Sequence, residues 1–420
     1  MPRPNLPLEI WWLIFRQATD TPLTLHTEWS CEVEERLWEY WPQDTHDAAV
    51  VTKRTIVQVC SEWRAVGIEF LWEVIPFPVS MNRHRFRRLI DVFKSSASQS
   101  DPGYGRWTKR IDCSLSYFEP DAEPEFHIFQ LLEQLHNLQI FTIRGGTPLR
   151  GPAHARLLQI FETRFNHSLL RLDLFLNCYG VVPRLQLSTL SVFFEDKVVD
   201  QPMPPQFTHV STLTLFLPDE GSVVPAQWHF PHLHTLAIHS HLAASPNMVP
   251  FITLHHRTLR HLYVKAYMRY LARKNLLPLI CAARYLKSFV TDPYSLNALI
   301  QLSRDESRVE QHTWLTHLGI IRETDSTLCT IARDVLCHLV GAGNPLSSVR
   351  VVRILKTIFP THITSDDQLV WSETSRICMD KKVRMEDAES RLISCRGKYL
   401  PLCLDLPSTD IVSCRANAHF

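Results

Sequence analysis

A chain of 420 residues is longer than one ordinary domain, unless it grows by stacking repeats. With 45% hydrophobic and 21% charged residues, it is composed like a folded protein and unlike a disordered one. Its 44 Lys+Arg against 43 Asp+Glu leave a net charge of +1, so no global basic field favours a nucleic-acid backbone as partner.

The first segment reads as helices. From Pro7 the apolar positions Ile10, Trp11, Ile14, Phe15 and Ala18 follow the rhythm of one buried helical face. Pro7 suits the first helical position, and Glu9 complements the helix dipole. A second stripe runs Ile56, Val59, Cys60, Trp63, Val66, Phe70, Leu71 and Val74, and Pro76 is expected to stop it. Between the two lie 37 residues, Thr19 to Thr55, of which Glu28 to Trp41 alternate acids with Val33, Leu37, Trp38 and Trp41 in the pattern of a further amphipathic helix. The Ser/Gly/Pro-rich run Lys94 to Arg106 is expected to be a linker or exposed loop.

Beyond it the dominant signal is self-similarity. The chain repeatedly spells apolar-x-x-apolar-x-x-apolar-x-apolar, most clearly at Leu135/Leu138/Phe141/Ile143, Phe207/Val210/Leu213/Leu215 and Phe230/Leu233/Leu236/Ile238. A degenerate first copy sits at Ile111/Cys113. The markers Phe141, Leu172, Leu190, Leu213, Leu236, Leu262, Phe289, Leu318 and Val349 stand 18 to 31 residues apart and average 26. That average lies within the roughly 20–29-residue period of leucine-rich repeats, whose L-x-x-L-x-L core is one short strand per turn of a solenoid. Helical patterns fall between the strands, at Ala153 to Phe165 and from Asp325 or Ser326 to Gly341. A doubly wound α/β fold also alternates strands with helices. Short strands, brief helices and only 12 glycines favour the solenoid, a curved α/β ribbon with parallel strands concave and helices convex.

With the repeats in view, the helical segment resembles an F-box, the short module that docks a protein onto the Skp-type adaptor of a cullin–RING ubiquitin ligase. Leu6, Pro7, Glu9, Ile10, Ile14 and Phe15 match its opening L-P-x-E-I-x-x-x-I-F pattern. Val59, Cys60, Trp63 and Arg64, then Leu71 and Trp72, match its closing V-C-x-x-W-R…L-W pattern. An F-box followed by irregular leucine-rich repeats is similar to the F-box/LRR-like proteins numerous in mushroom-forming fungi. The resemblance implies a non-catalytic substrate receptor, with adaptor binding through Leu6, Pro7, Glu9, Ile10, Ile14, Phe15, Val59, Cys60, Trp63, Leu71 and Trp72. The chain departs from the family in its insertion at about residues 19–55 and in the repeat asparagine, kept at Asn177 but replaced by Glu195, Pro218 or His241 in other copies. The expected organisation is an F-box-like region over 1–93, a linker over 94–106, the repeats over 107–395 and a tail over 396–420.

In such a solenoid, the residue after the second marker of each repeat faces the concave surface. That row reads Arg144, Phe175, Phe193, Phe216, His239, Lys265, Asp292, Ile321 and Val352. Phe175, Phe193 and Phe216, flanked by Arg171, Tyr263 and Lys265, are the candidate patch for a target protein. Two other readings stand beside it: the insertion or the tail folds over the patch, or the register slips by one and turns these residues inward.

No constellation for catalysis is present. Eight histidines between His229 and His261 lack the cysteines and spacings of a zinc site, and no phosphate loop or nucleophile motif occurs. No cofactor or metal is expected, and neither is a nucleic-acid or membrane partner. Eleven scattered cysteines without a C-x-x-C pair, and an opening unlike a signal peptide, suggest reduced thiols in the cytosol or nucleus. The rival to the receptor reading is a stand-alone repeat scaffold whose leading helices only cap the open end of the solenoid.

Overall fold

The computed structural model describes residues 6–20, 24–27, 43–77, 83–98, 101–114, 124–144, 151–174, 185–193, 207–217, 224, 228–240, 248–266, 276–292, 296, 314–321, 346, 348–355, 376–378, 380 and 382–386. The helical patterns at Glu28 to Trp41 and Asp325 to Gly341 lie outside them, as do Phe175, the turn positions Asn177, Glu195, Pro218 and His241, and the tail from Arg396. The chain divides into two units, Met1–Lys287 and Ser288–Phe420.

In the first unit, α1 (Leu8–Thr19) starts just after Pro7, whose carbonyl accepts the Ile10 and Trp11 N–H groups at 3.0 and 3.2 Å. Pro7 is therefore the cap and not the first helical residue. The second stripe, expected as one run, is two helices, α2 (Gln43–Val59) and α3 (Ser61–Trp72). Cys60 separates them in an extended conformation, φ −160° and ψ 172°, and its Sγ accepts the Trp63 N–H at 3.4 Å. The apolar spacing runs through this break because both helices feed one core of Phe15, Ile56 and Phe70, with Trp11, Trp12, Trp63 and Val66 packed against it. At Gly67 a Cβ would lie 2.6 Å from Ile56 Cγ2, so glycine lets α2 and α3 approach.

Pro76 lies inside a strand, β1 (Val74–Phe77), which follows α3 directly. Among the described residues β1 pairs only with β2 (Arg110–Ser114), and proline is tolerated on such an edge. The sheet therefore begins about one repeat before residue 107. The stretch expected as a linker holds the end of α4 (Arg83–Ser96) and a 3-10 turn at Gly103–Trp107. It is packed rather than loose: Tyr104 stacks on Trp72 at 5.3 Å, and a Cβ on Gly105 would meet the Gln134 carbonyl oxygen at 1.8 Å.

The unit continues through α5 (Pro124–Leu132), β3 (Ile140–Arg144), α6 (Gly151–Arg164), β4 (Arg171–Leu174) and β5 (Thr189–Phe193). It closes with β6 (Thr212–Leu217), β7 (Thr235–Ser240), α7 (Met248–His255), β8 (His261–Ala266) and α8 (Leu276–Ala282). From β1 to β8 each strand pairs in parallel with the next in sequence. One carbonyl ahead of each strand accepts the first two N–H groups of the next. Lys109 and Arg110 bind Glu73, Gln139 and Ile140 bind Lys109, and Leu170 and Arg171 bind Gln139, all at 2.8 to 3.1 Å. The same pattern recurs through Leu170, Ser188, Ser211 and His234.

This register aligns Ile111, Phe141, Leu172, Leu190, Leu213, Leu236 and Leu262 in one fully buried row, the expected markers. Helices cover that face, Phe161 of α6 meeting Phe141 at 4.9 Å and Phe251 of α7 meeting Phe230 at 6.2 Å. Burying each such side chain contributes about 1.5–3 kcal/mol, enough to fix which side of a short strand faces in.

The second unit holds β9 (Ser288–Thr291), β10 (His317–Ile321), β11 (Val351–Leu355) and β12 (Arg384–Glu386), again parallel neighbours in chain order. Phe289 and Leu318 align as expected, but their partner on β11 is Val352, not Val349. Ile321 correspondingly pairs with Leu355, so Val352 belongs to the buried row and not to the opposite one. With Val349, Val351 and Val352 all apolar, the pattern fits either reading, and strand pairing decides.

His255, at the end of α7, is buried. Its Nε2 accepts the Phe230 N–H at 2.9 Å, while its Nδ1–H donates to the Phe251 carbonyl at 2.8 Å. Burial lowers its pKa, opposed by the Phe251 hydrogen bond and reinforced by His229. A histidine held neutral in the fold contributes fully above its ordinary pKa of about 6.5, and that contribution is lost as pH falls below it. Urea unfolding at pH 7.5 and 5.5 should therefore show a smaller stability loss on acidification for His255→Gln than for wild type; equal losses contradict this role.

Candidate binding surfaces

Two surfaces stand out, one on the helices and one on the sheet. On α1 the core takes Phe15, with Trp11 and Trp12 beside it. Among the described residues nothing covers the other side of the helix: Ile10, Leu13 and Ile14 are 40, 57 and 42% exposed, Leu8 is exposed too, and Leu6 just before the helix is 38% exposed. Ile10, Leu13 and Ile14 are spaced i, i+3, i+4, which makes one stripe. On α2, Val51 and Val59 are likewise exposed. Isolated apolar residues are ordinary on a surface, but a continuous stripe of aliphatics is the mark of a contact face.

The residues carrying the F-box resemblance thus separate into two groups. Leu6, Pro7, Glu9, Ile10, Ile14 and Val59 are exposed. Phe15 is in the core; Trp63 packs on Trp11 and Phe15 at 4.8 and 4.9 Å; Cys60 caps α3; Leu71 is half-buried. Trp72 sits between Phe93 and Tyr104, with ring centroids at 5.1 and 5.3 Å. The two tryptophans therefore hold the module together and are not free anchors. Leu13 and Val51 extend the exposed face, and sequence reasoning passed over both, although Leu13 stands one turn from Ile10.

A charged junction ties these helices to the first strands. Arg16 of α1 grips Glu73 through both guanidinium nitrogens at 2.6 and 2.9 Å, and Lys109 Nζ reaches the same carboxylate at 2.9 Å. Burial opposes ionisation of Glu73, yet the hydrogen bonds from Arg16 and Lys109 outweigh it and hold its pKa below the ordinary range. The Arg16 guanidinium also lies over the Trp12 and Phe70 rings at 5.3 and 5.1 Å. Lys53 is buried nearby, and desolvation lowers its pKa.

The second surface is the sheet face opposite the aliphatic rows, the expected target side. It is not open. Arg171, Phe216, Tyr263 and Lys265, expected to line an exposed patch, are buried. Phe193 pairs with Phe216 in the expected row, and that row continues to His239 and Lys265. Rings stack along it, Phe216 on His239 at 4.7 Å and His239 near Tyr263 at 5.3 Å. On β2 to β5 this face carries, around the apolar Ile140, a set of buried polar side chains. Arg110 binds Asp112 at 2.8 and 2.9 Å, two residues along the same strand and so on the same side. Arg171 repeats the device with Asp173 at 2.9 Å, and Thr142 and Ser191 donate to the same carboxylate at 3.2 and 2.6 Å.

Part of the cover is the chain's own segment after α1. Arg110 Nη1 donates to the Thr24 carbonyl at 2.5 Å, and Thr189 Oγ1 donates to the Thr27 carbonyl at 2.7 Å. The segment after α1 lies over this face at Thr24–Thr27, on the Arg110 and Thr189 side and not on the expected phenylalanine patch, of which Phe175 lies outside the described residues.

Among the described residues no group of His, Cys, Asp or Glu is arranged to hold a metal ion, and no helix is long and apolar enough to cross a membrane. Compared with family models and with curated proteins, the sequence finds no match in either.

The split of α1 into a core side and an open side has a measurable consequence. Phe15→Ala should cost about 3–5 kcal/mol in urea unfolding, whereas Ile10→Asp, on the exposed side, should stay within about 0.5 kcal/mol. Comparable losses for both would show that the stripe is packed.

Proposed function

We propose that the chain is a non-catalytic substrate-receptor subunit of a cullin–RING ubiquitin ligase. In this reading α1 to α3 form an F-box-like module that binds a Skp-type adaptor, and the parallel strands form leucine-rich repeats that present a target protein. The observation that carries it is the exposed aliphatic stripe of Ile10, Leu13 and Ile14, extended by Leu6 just before the helix, on a helix whose other side packs into the module's core. A helix with two apolar sides, one in its own core, is suited to lie in a partner's groove. The parallel order of the strands and their aligned aliphatic markers support the repeat half of the reading. The receptor would supply proximity, raising the effective concentration of cargo near an enzyme carried by other subunits.

A second reading has a specific observation in its favour. The Arg16–Glu73–Lys109 junction and the direct passage of α3 into β1 fit helices that close the open end of a repeat stack. Capping alone gives no reason for the exposed stripe.

Capture with a purified Skp-type adaptor separates the two. The receptor reading requires binding by the wild-type chain and its loss in Pro7→Ala with Ile10→Asp, at unchanged thermal stability. Absence of wild-type binding leaves the capping scaffold.

A further inference from the structure

The two bonds to the segment after α1 occupy one row of the sheet. Arg110, Ile140, Arg171 and Thr189 are successive register partners across β2, β3, β4 and β5. Arg110 holds the Thr24 carbonyl at one end of that row and Thr189 holds the Thr27 carbonyl at the other. Three strand steps span about 14 Å. Three residues of chain reach about 10 Å at most, and the long Arg110 side chain makes up the difference. The segment therefore runs across the strands, not along them.

Both contacts are made to main-chain carbonyls, so they read a peptide backbone and not particular side chains. Between them in the same row stands Arg171, buried, with Nε on Asp173 and with Nη1 lacking a hydrogen-bond partner among the described residues. A buried guanidinium N–H without an acceptor is costly. It is a further donor in the row that the segment crosses. The row continues through Thr212 and Thr235, two more hydroxyl residues.

We propose that the donors of this row, Arg110, Arg171 and Thr189, form a binding surface for a peptide segment recognised through its main-chain carbonyls, and that Thr24–Thr27 is a strap occupying it in cis. A target peptide reaches the surface only by displacing the strap. The inference deepens the target-binding half of the proposed function and rests on that half alone, not on the adaptor. It assigns a role to Thr24–Thr27, which hold the surface closed until a competitor arrives. The ring cluster of Phe216, His239 and Tyr263 lies further along the same face and is not needed for the strap.

The probe is the strap itself, a fluorescein-labelled synthetic peptide DTPLTLHTEWS covering residues 20–30. The full-length chain carrying Thr24→Lys and Thr27→Lys alters the two residues whose carbonyls bind Arg110 and Thr189, and is designed to eject the strap. Fluorescence anisotropy should show this variant binding the peptide at least ten-fold more tightly than wild type. Adding Thr189→Val should weaken that binding about 3- to 10-fold, as expected for one neutral hydrogen bond. Equal affinities, or no binding to the ejected variant, would overturn the proposal.

Hydrogen exchange on the wild-type chain keeps the question decidable if the double variant does not fold. Amides of residues 24–27 should exchange at least ten-fold faster than those of β2 to β5, and faster still in Thr189→Val. A strap that opens only with the strands is a structural element, and the proposal falls. Adaptor capture is read in parallel: its loss with strap-peptide binding intact counts against the adaptor reading and supports the strap independently.

Discussion

One carbonyl placed ahead of each strand, accepting two N–H groups from the strand that follows, sets the register of the first unit from Glu73 to His234. In a parallel ladder the hydrogen bonds alone tolerate a shift along the strand. Here the aliphatic rows do not, because a shift by one residue would carry Phe141, Leu172, Leu190 and their partners from core to the opposite face. The same register brings Arg110, Arg171 and Thr189 into one line on the other side. Core and candidate surface are therefore two consequences of a single alignment.

The first carbonyl of the series belongs to Glu73, whose carboxylate also receives Arg16 and Lys109. One residue thereby starts the ladder and fastens α1 to it. A buried ion pair of this kind offers weak net stabilisation, since desolvation offsets much of the attraction, but it demands a particular geometry of its partners. The consequence for binding is direct. Anything held by the exposed stripe of α1 is held at a fixed orientation to β1 and β2.

Much of this was legible in the sequence. The recurring aliphatic triplets marked the buried row correctly from Ile111 to Leu262, because 2.0-residue alternation in short strands reports burial directly. The start of α1 was read to within one residue from Pro7. What escaped has physical causes. The pattern from Ile56 to Val74 crosses the Cys60 break, since α2 and α3 serve one core. β1 hid behind Pro76, which reads as a helix stop and is accepted only because the strand lies at an edge. At the start of β11 three valines in four residues, Val349, Val351 and Val352, fit two alignments. The polar side chains Arg110, Asp112, Thr142, Asp173, Thr189 and Ser191 read as a solvated face, yet they are buried, and Arg110 and Thr189 meet partners 86 and 162 residues distant in sequence. No local pattern carries that information. For the helical site, the sequence named the segment but not the division of labour within it: the tryptophans went to packing, and the aliphatics were left outside.

The alignment that fixes both faces can be tested by covalent geometry. Ser191 and Thr214 are register partners on β5 and β6, on the side away from the aliphatic rows. Strands about 4.8 Å apart place their Cα atoms within the roughly 4.4–6.8 Å span of a disulfide. Peptide mapping of the oxidised Ser191→Cys, Thr214→Cys chain should find that crosslink, while Ser191→Cys with Leu213→Cys should yield none. A crosslink in the second pair and none in the first would turn the polar row inward, and the core, the strap and its surface would all be misplaced.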